Sequence, residues 1–340
     1  MYLLGIDENG YGPLLGPLIV TATAYKVHPH TKNFGVGVNL WHILNISKNP
    51  DDYPEKLIVT DSKKLFSRNS LKRRQAGERT VLAFFYLLFK TLPENPDRFL
   101  SKVLLNFSPP HQNNWCGGRP CWEEISLPLW LKEIVVRRSY SLAKIEERIK
   151  KEAGKLRKRL RKGEIKFLGL KSICICPFQF NKSTADKSKS YLNYLQFEKL
   201  ISHFLRKKEG EFLIFADRIG GQREYLPHLK SGLLKHWDCR ILEESRAVSS
   251  YELSLKEKIA VISFLQNGEE RQFPVALSSL FGKYIREISI ERINRFFQNY
   301  NPELKSVSGY RDSRTKDFIK KTVGLRKRLK IRQECFLRNV

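Results

Sequence analysis

Residues 1–17, MYLLGIDENGYGPLLGP, decide how the rest of the chain is interpreted. An apolar run, Tyr2–Ile6, leads directly into Asp7 and Glu8, and glycines follow. An apolar run of this kind is typical of a buried sheet strand, so two carboxylates at its end lie where the strand meets solvent and need a partner. Taken alone, the acidic pair is more typical of an ordinary turn after a strand. Neighbouring strand side chains point to opposite faces, so both carboxylates reach one ion only if the backbone departs from β geometry there, which the glycines permit.

A second apolar segment repeats this arrangement. Residues 211–217, EFLIFAD, end in Asp217, and Gly220 and Gly221 follow. A single Asp at a strand end is most often a turn residue, but a second strand that delivers a carboxylate is what a metal site built from carboxylates requires. Similar patterns predict strands at 18–27, 167–178, 238–243, 250–255 and 259–265, the last three as an antiparallel set, and helices at 70–92, 140–160, 188–207 and 275–294.

The charge of the chain indicates its class of partner. Its 340 residues carry a formal net charge of +27, from 62 Lys and Arg against 35 Asp and Glu. An excess this large predicts attraction to a polyanion, of which nucleic acid is the first choice. An anionic membrane is disfavoured, because the sequence has neither an apolar run of about 18 residues nor a signal-peptide pattern. We therefore expect a soluble cytoplasmic protein that does not enter a membrane.

Cations are concentrated in two segments. Nine of the fifteen residues from Arg148 to Lys162 are Lys or Arg on a helix-forming background, which is typical either of a solvated basic helix or of phosphate contact. Residues 316–340 carry nine Lys and Arg and form a basic helical tail, interpreted as phosphate-binding or disordered. Residues 93–140 are rich in Pro, Asn, Gly and Trp, and we interpret them as a surface insertion rather than a core element.

The six cysteines, at positions 116, 121, 174, 176, 239 and 335, lack the spacing of a disulfide framework. We expect reduced thiols in a reducing compartment. Cys116 and Cys121 enclose a loop that can clip a zinc ion, but no second Cys or His pair stands nearby at ligand spacing, so a zinc site is disfavoured.

The wider opening motif, Gly5-Ile6-Asp7-Glu8-x-Gly10-x-Gly12-Pro13-x-x-Gly16-Pro17, closely resembles that of the type 2 ribonucleases H (ribonuclease HII and HIII), which cut the RNA strand of RNA–DNA hybrids. Three further matches follow in the family's order: DSKKL at 61–65, the strand that ends at Asp217, and the helix at 275–294. In that helix the residues in register with the family's Ala-Ser-x-x-Ala-Lys-x-x-Arg-Asp are Ser279, Lys283, Arg286 and Glu287.

The resemblance implies two sets of functional residues. The metal-binding and catalytic set is Asp7, Glu8, Asp217 and Glu287. The set that contacts nucleic acid is Gly10, Tyr11, Gly12, Lys63, Lys283 and Tyr310. From the residues alone, the segment that contains Lys63 is also typical of a solvated loop. The four-residue spacing of Lys283 and Glu287 is likewise that of an ordinary surface ion pair. The chain departs from the family with Glu287 in place of Asp, with Tyr11 between the glycines, and with Arg218 and Ile219 where Gly-Asn is usual.

The fold implied is α/β: a ribonuclease-H-like core with a mixed β-sheet flanked by helices and a basic helical insertion. The predicted division is 1–92 and 167–315 for the ribonuclease-H-like domain, 93–166 for the insertion, and 316–340 for the tail. The activity implied is Mg²⁺- or Mn²⁺-dependent hydrolysis of the RNA strand of RNA–DNA hybrids, or cleavage at ribonucleotides embedded in DNA. Two alternatives stay open: a structure-specific DNA endonuclease on the same fold, and a catalytically impaired homologue that only binds nucleic acid.

Overall fold

Three neighbouring parallel strands lie at the centre of a seven-stranded sheet. The computed structural model describes residues 1–28, 39–107, 119–133, 141–206 and 209–339. Its strands are β1 (Tyr2–Asn9), β2 (Leu18–Val27), β3 (Ile165–Ile175), β4 (Glu211–Asp217), β5 (Asp238–Glu244), β6 (Val248–Leu255) and β7 (Lys258–Leu265). Cys116 and the rest of residues 108–118 lie outside the described residues, so the disfavoured zinc loop is not placed.

The sheet is mixed, with strand order β3-β2-β1-β4-β7-β6-β5. β1 pairs antiparallel with β2 and parallel with β4, β2 pairs antiparallel with β3, and β4 pairs parallel with β7. The antiparallel set predicted for β5, β6 and β7 is present at the far edge. The sequence pattern did not predict that β7 also lies parallel to β4.

Helices cover both faces of this sheet. They are α1 (Leu40–Leu44), α2 (Ser62–Leu65), α3 (Leu71–Phe89), α4 (Pro96–Val103), α5 (Leu142–Lys162), α6 (Pro177–Ser183), α7 (Lys189–Leu205), α8 (Leu226–Ser231), α9 (Gly268–Arg271), α10 (Phe273–Tyr300), α11 (Ser313–Lys321), α12 (Val323–Arg328) and α13 (Gln333–Phe336). One face packs against α3, α5 and α10, and the other against α7 and α8. The mixed sheet with flanking helices confirms the predicted α/β architecture.

Helix α10 is fixed closely against β1, and this contact positions the site described below. A Cβ atom at Gly5 of β1 would lie 2.1 Å from the carbonyl carbon of Pro274, so glycine is required at this crossing. The Ser278 hydroxyl donates to the Gly5 carbonyl at 2.8 Å, and the Asn9 side-chain amide donates to the Ser279 carbonyl at 3.0 Å. These bonds satisfy polar groups that burial would otherwise leave costly.

The insertion takes part in the main core, which differs from its interpretation as a surface segment. Phe99 of α4 and Trp130 are buried there, together with the apolar face of α5. The buried carboxylate of Glu78 in α3 accepts backbone hydrogen bonds from Trp130 at 2.8 Å and Leu131 at 2.7 Å. The composition of 93–140 conceals this role because its apolar residues are irregularly spaced. The domain division itself stays a prediction.

The C-terminal segment is folded onto the end of α10. Phe318 of α11 and Phe336 of α13 are buried in a third apolar cluster with Phe297 of α10. The sequence analysis interpreted residues 316–340 as phosphate-binding or disordered from their cations. It did not identify the apolar face that packs against α10. Among the described residues no helix is both long and apolar enough to cross a membrane.

Candidate metal centre and nucleic-acid interface

Three carboxylates converge where the parallel pair β1 and β4 ends. Ile6 is paired with Ala216, so Asp7 and Asp217 follow side by side at the carboxyl ends of neighbouring strands. Ligand oxygens of Asp7, Glu8 and Asp217 all lie within 4.8 Å of one another. This is the one group of three or more potential ligands that the described ranges contain.

The convergence does not need the expected break in β geometry. β1 stays paired with β2 through Asn9, with Asp7 opposite Thr21 and Glu8 opposite Val20. The pairing of β1 with β4 ends at Ile6, and beyond this point the ligand oxygens of Asp7 and Glu8 both lie within 4.8 Å of that of Asp217. Glu8 is also one methylene longer than Asp7. The backbone turns only afterwards, at Gly10 with φ of +89°.

The carboxylates at this edge destabilise one another's charges. Burial, then Asp217 and Glu8, raise the pKa of Asp7 well above its usual value. Burial and Asp217 raise the pKa of Glu8 to about 8. The pKa of Asp217 is raised by burial, although the Gly268 amide, which donates to its Oδ1 at 2.7 Å, opposes the shift. A site that collects negative charge in a buried position is suited to a cation.

A fourth acid, Glu269 of α9, lies at the same edge and was missed by the sequence reasoning. Burial and Asp61 raise its pKa to about 7, and Asp217 contributes to the shift. The Ser279 hydroxyl donates to Glu269 Oε2 at 2.9 Å. The signal that would have found it is topological: β7 is parallel to β4 with Leu265 opposite Asp217, so an acid just after β7 falls beside Asp217.

Glu287, the fourth acid implied by the resemblance, is not part of the three-carboxylate group. Its Oε1 lies 2.9 Å from Lys283 Nζ and 3.8 Å from Arg286 Nη1. Although burial opposes ionisation, these cations hold the pKa of Glu287 below its usual value. The Lys283 and Glu287 side chains are only 8% and 14% exposed, so they form a buried ion pair rather than a surface one. The role of Glu287 as a ligand stays a prediction.

Lys63 is placed beside the acidic edge. It is in α2, and its backbone amide donates to Asp61 Oδ1 at 2.8 Å. Partial burial favours its neutral form, but Glu269, Asp61 and Asp7 raise the pKa of Lys63 above its usual value. Lys63 is therefore a cation at neutral pH within electrostatic reach of the carboxylates.

Tyr310 lies on the same side of the molecule, with its side chain exposed. Its ring centre is 5.4 Å from Lys283 Nζ and 4.8 Å from the guanidinium carbon of Arg286. Arg286 is fully buried and donates to the Ser308 carbonyl at 2.9 Å, which fixes the approach to Gly309 and Tyr310. The structure thus brings Tyr310 and Lys283 together and exposes one aromatic face.

The glycine turn, residues 10–12, borders the acidic edge from the other side. A Cβ at Gly10 would lie 2.5 Å from the Pro17 carbonyl oxygen, whereas one at Gly12 would meet nothing within 4 Å. Tyr11 is half-buried, and burial together with Glu8 raises the pKa of its hydroxyl. Lys189 Nζ of α7 lies 4.4 Å from the Tyr11 ring centre.

The loop after Asp217 is held without the family's Gly-Asn. The Arg218 guanidinium donates to the Arg246 carbonyl at 2.7 Å, and the Ile219 amide donates to the Tyr225 hydroxyl at 3.0 Å. These bonds fix the backbone at the end of β4, and therefore the direction in which Asp217 leaves it.

The donor set fits a hard divalent cation. Carboxylate oxygens are the ligands that Mg²⁺ and Mn²⁺ prefer, and Mg²⁺ keeps several waters, so a few carboxylates suffice. One oxygen of Glu8, Oε2, is buried and has no hydrogen-bond partner within the described part of the chain. A buried oxygen left unsatisfied is costly, and a cation at this position would satisfy it.

Comparison with known proteins gives similarity in structure only. No protein-family model and no curated protein sequence matches the chain. Among solved structures, ribonuclease HII of Archaeoglobus fulgidus in its complex with PCNA matches 100% of this chain and 94% of its own, with 16% identity and a TM-score of 0.41.

Two other solved structures have similar matches. Bst-RNase HIII in complex with Mn²⁺ matches 100% of this chain and 66% of its own, with 12% identity and a TM-score of 0.47. Ribonuclease H2 of Pyrococcus horikoshii OT3 matches 99% and 92%, with 14% identity and a TM-score of 0.39. These type 2 ribonucleases H are what the chain is similar to. The predicted α/β fold class, a mixed sheet flanked by helices, is confirmed by the chain's own strands and helices, and the assignment of the site comes from its own residues.

Proposed function

We propose that this chain is a divalent-metal-dependent endoribonuclease that hydrolyses the RNA strand of RNA–DNA hybrids or cleaves at ribonucleotides embedded in DNA. The observation that carries the proposal is the convergence of Asp7, Glu8 and Asp217 within 4.8 Å. Carboxylates that raise one another's pKa at a buried strand end are costly to the fold, and a metal-dependent phosphodiester hydrolase is the class of protein that uses them.

The metal-binding set we propose is Asp7, Glu8 and Asp217, with Glu269 as the fourth acid. Mg²⁺ or Mn²⁺ held there supplies charge stabilisation for the attacking water and the leaving 3′-oxygen. Glu269 is preferred to Glu287 because Glu269 is electrostatically coupled to Asp217, whereas the charge of Glu287 is neutralised by Lys283 and Arg286. Glu269 therefore offers a carboxyl group whose proton a cation can displace, whereas the carboxylate of Glu287 is already held by Lys283 and Arg286.

Cations and a turn around this edge supply contacts for the substrate strand. Lys63 is placed to pair with a backbone phosphate, and the exposed ring of Tyr310 offers a face on which a sugar or base packs. The amides of the glycine turn are donors for the 2′-hydroxyl, the group that distinguishes RNA from DNA. The charge of Lys283 is paired with Glu287, so its proposed contribution is to hold the Tyr310 ring, whose centre lies 5.4 Å from Lys283 Nζ. A cytoplasmic location is part of the same proposal.

The test is cleavage of three matched 5′-labelled duplexes: a full RNA–DNA hybrid, DNA with one embedded ribonucleotide, and DNA alone. We expect Mg²⁺- or Mn²⁺-dependent cleavage of the first two and none of the third, with activity abolished by EDTA. The Asp217→Asn variant, purified in parallel, controls for contaminating nuclease. Equal cleavage of all three duplexes would favour the DNA-endonuclease alternative, and binding without cleavage the catalytically impaired one.

A further inference from the structure

The C-terminal end of the described chain returns to the glycine turn. The backbone amide of Arg338 donates to the Leu14 carbonyl at 3.0 Å. Its guanidinium donates through Nη1 to the Gly10 carbonyl and through Nη2 to the Tyr11 carbonyl, the latter at 3.0 Å. Arg338 is 3% exposed, so this side chain is held inside the protein, behind the turn.

Neighbouring residues fix Arg338 from the other side. Its guanidinium carbon lies 3.9 Å from the ring centre of Phe180 in α6. The Asn181 side chain donates to the Leu337 carbonyl at 2.7 Å and accepts from the Asn339 amide at 2.7 Å. With both flanking residues bound to α6, Arg338 has little freedom to leave the turn.

The hydrogen bonds from Arg338 also determine the direction of the backbone N–H groups in the turn. In a trans peptide the carbonyl and the N–H of the same unit point in opposite directions. Because Arg338 draws the Gly10 and Tyr11 carbonyls inward, the N–H groups of Tyr11 and Gly12 are directed away from the interior. Among the described residues neither N–H donates a hydrogen bond, and Gly12 is exposed. Two consecutive amides are therefore available to an acceptor outside the protein.

The charge of Arg338 is unusual for such a position. Burial, and then the neighbouring Arg286, lower the pKa of Arg338 to about 9, so it is still protonated at neutral pH. Within the part of the chain that the structure describes, no carboxylate forms an ion pair with it, and backbone carbonyls supply its hydrogen bonds. The Arg286 side chain also lies behind the turn, 3.1 Å from a Cβ position at Gly10, so a second guanidinium group contributes positive potential to the turn.

We infer that Arg338 is a positioning residue: by holding the Gly10 and Tyr11 carbonyls, it aims the Tyr11 and Gly12 amides at the 2′-hydroxyl of the substrate strand. This inference rests on the proposed function, because it assigns the turn to ribose recognition. Arg338 touches neither the metal-binding carboxylates nor the substrate. Its effect is therefore on discrimination between RNA and DNA, and not on metal binding.

The experiment measures affinity in EDTA, where no cleavage occurs, for a duplex with one ribonucleotide and for its all-DNA counterpart. We expect the wild-type protein to prefer the ribonucleotide, and Arg338→Ala to lower that preference by about 10-fold or more, the cost of losing one or two oriented hydrogen bonds. The all-DNA affinity should change by less than about 3-fold, because phosphate contacts stay. Arg338→Lys, which keeps the charge and one donor direction, should recover part of the preference.

The matched control is Arg328→Ala, which removes the same charge from an exposed position in α12. Melting temperatures identify variants that do not fold, and Arg338→Lys serves if Arg338→Ala fails. A full ribonucleotide preference in a folded Arg338→Ala protein, or an equal loss in Arg328→Ala, would overturn the role of Arg338. A wild-type protein that neither cleaves nor prefers the ribonucleotide would instead overturn the proposed function.

Discussion

Glu269 Oε2 accepts a hydrogen bond of 2.9 Å from the hydroxyl of Ser279, and Ser62 Oγ lies 2.9 Å from the same hydroxyl. This contact joins three elements, α9, α10 and α2, at the carboxyl end of the central strands. It holds the Glu269 carboxylate at the edge that already carries Asp7 and Asp217. The relationship distinguishes Glu269 from Glu287, whose carboxylate is held by cations.

The first prediction separates these two acids. Glu269→Gln should reduce metal-dependent cleavage by roughly 10²-fold and weaken the stabilisation that Mn²⁺ gives, because it removes a charge from the proposed metal centre. Glu287→Gln should instead lower the free energy of unfolding by about 3 kcal/mol with or without metal, because it leaves Lys283 buried without its partner. Thermal melts with and without Mn²⁺, together with cleavage rates, measure both effects. The reverse pattern would assign the metal-binding role to Glu287.

The second prediction concerns the central carboxylates. Asp7→Asn and Asp217→Asn should each abolish cleavage to within assay background and leave hybrid affinity in EDTA within about 3-fold of wild type, because phosphate contacts are kept. Asp7→Asn should also raise the melting temperature of the metal-free protein, since it removes a carboxyl group whose ionised form is destabilised first by burial and then by Asp217 and Glu8. Thr60→Ser, a mild change outside the carboxylate group, is the control. Wild-type activity in either Asn variant would refute the metal centre.

The third prediction is a pH dependence of stability. Folding raises the pKa of Glu8 to about 8 from a usual 4.5, so the folded state binds more protons than the unfolded state between these values. Stability from this group is complete below the usual pKa and is lost as pH rises through about 8. The metal-free protein should therefore melt at lower temperature at alkaline pH than near pH 5, and the raised pKa values of Asp7 and Glu269 act in the same direction.

Mg²⁺ competes with these protons, so its stabilisation should grow as pH rises. We expect a shift in melting temperature that is larger by roughly 2 °C or more at about pH 8.5 than at about pH 5.5. The Glu8→Gln variant should lose part of this pH dependence, because the raised pKa values of Asp7 and Glu269 also couple Mg²⁺ binding to proton release. A Mg²⁺-induced shift in melting temperature that is the same at both pH values would mean that Mg²⁺ binds elsewhere. So would a Glu8→Gln variant whose shift depends on pH as strongly as that of the wild type.

The fourth prediction concerns the basic helix α5. Its apolar face is buried, and its outer face carries the exposed cations Lys150, Lys151, Lys155, Arg157, Lys158, Arg161 and Lys162. If these contact phosphates, hybrid affinity should fall by roughly 10³-fold between about 50 and 200 mM salt, and replacing Lys151, Lys155 and Lys158 with Gln should reduce the slope of log affinity against log salt by roughly 2 to 3.

The matched control for α5 removes the same charge from the opposite side of the sheet, with Gln at the exposed Lys230, Lys235 and Lys256. Arg159 is not a suitable target, because its guanidinium donates to the Leu44 carbonyl at 2.8 Å and helps to pack the helix. An equal change of slope in both triple variants would mean that α5 contributes only to overall charge.

The fifth prediction separates the two glycines of the turn. From the sequence, both glycines are candidates for a backbone shape that other residues do not adopt. The structure assigns this requirement to Gly10, where φ is +89° and a Cβ would lie 2.5 Å from the Pro17 carbonyl oxygen. Gly10→Ala should therefore cost about 2 kcal/mol or more in unfolding free energy, whereas Gly12→Ala should leave stability unchanged.

Gly12→Ala then becomes a test of close approach by the substrate. A Cβ at this position meets nothing within 4 Å in the free protein, so weaker hybrid binding in a stable Gly12→Ala variant would come from contact with the substrate. Tyr11→Phe is the control and should be mild, because the Tyr11 hydroxyl lies 3.6 Å from a Cβ position at Gly220 and forms no hydrogen bond in the described part of the chain. Unchanged hybrid affinity in Gly12→Ala would place the substrate away from the turn.

The sequence by itself determined the strands that carry Asp7, Glu8 and Asp217, the long helix with Lys283, and the excess of cations. These features follow from local periodicity and composition, which the chain carries without reference to its partners in space. Tertiary structure alone decided the rest. Glu269 joins the site because β7 runs parallel to β4, a pairing between segments whose local patterns do not encode direction. Glu287 is held by Lys283 in a buried ion pair, and Arg338 donates a hydrogen bond to Gly10, 328 residues away in sequence. Buried polar groups need partners, and which partners they find depends on the folded structure rather than on local sequence.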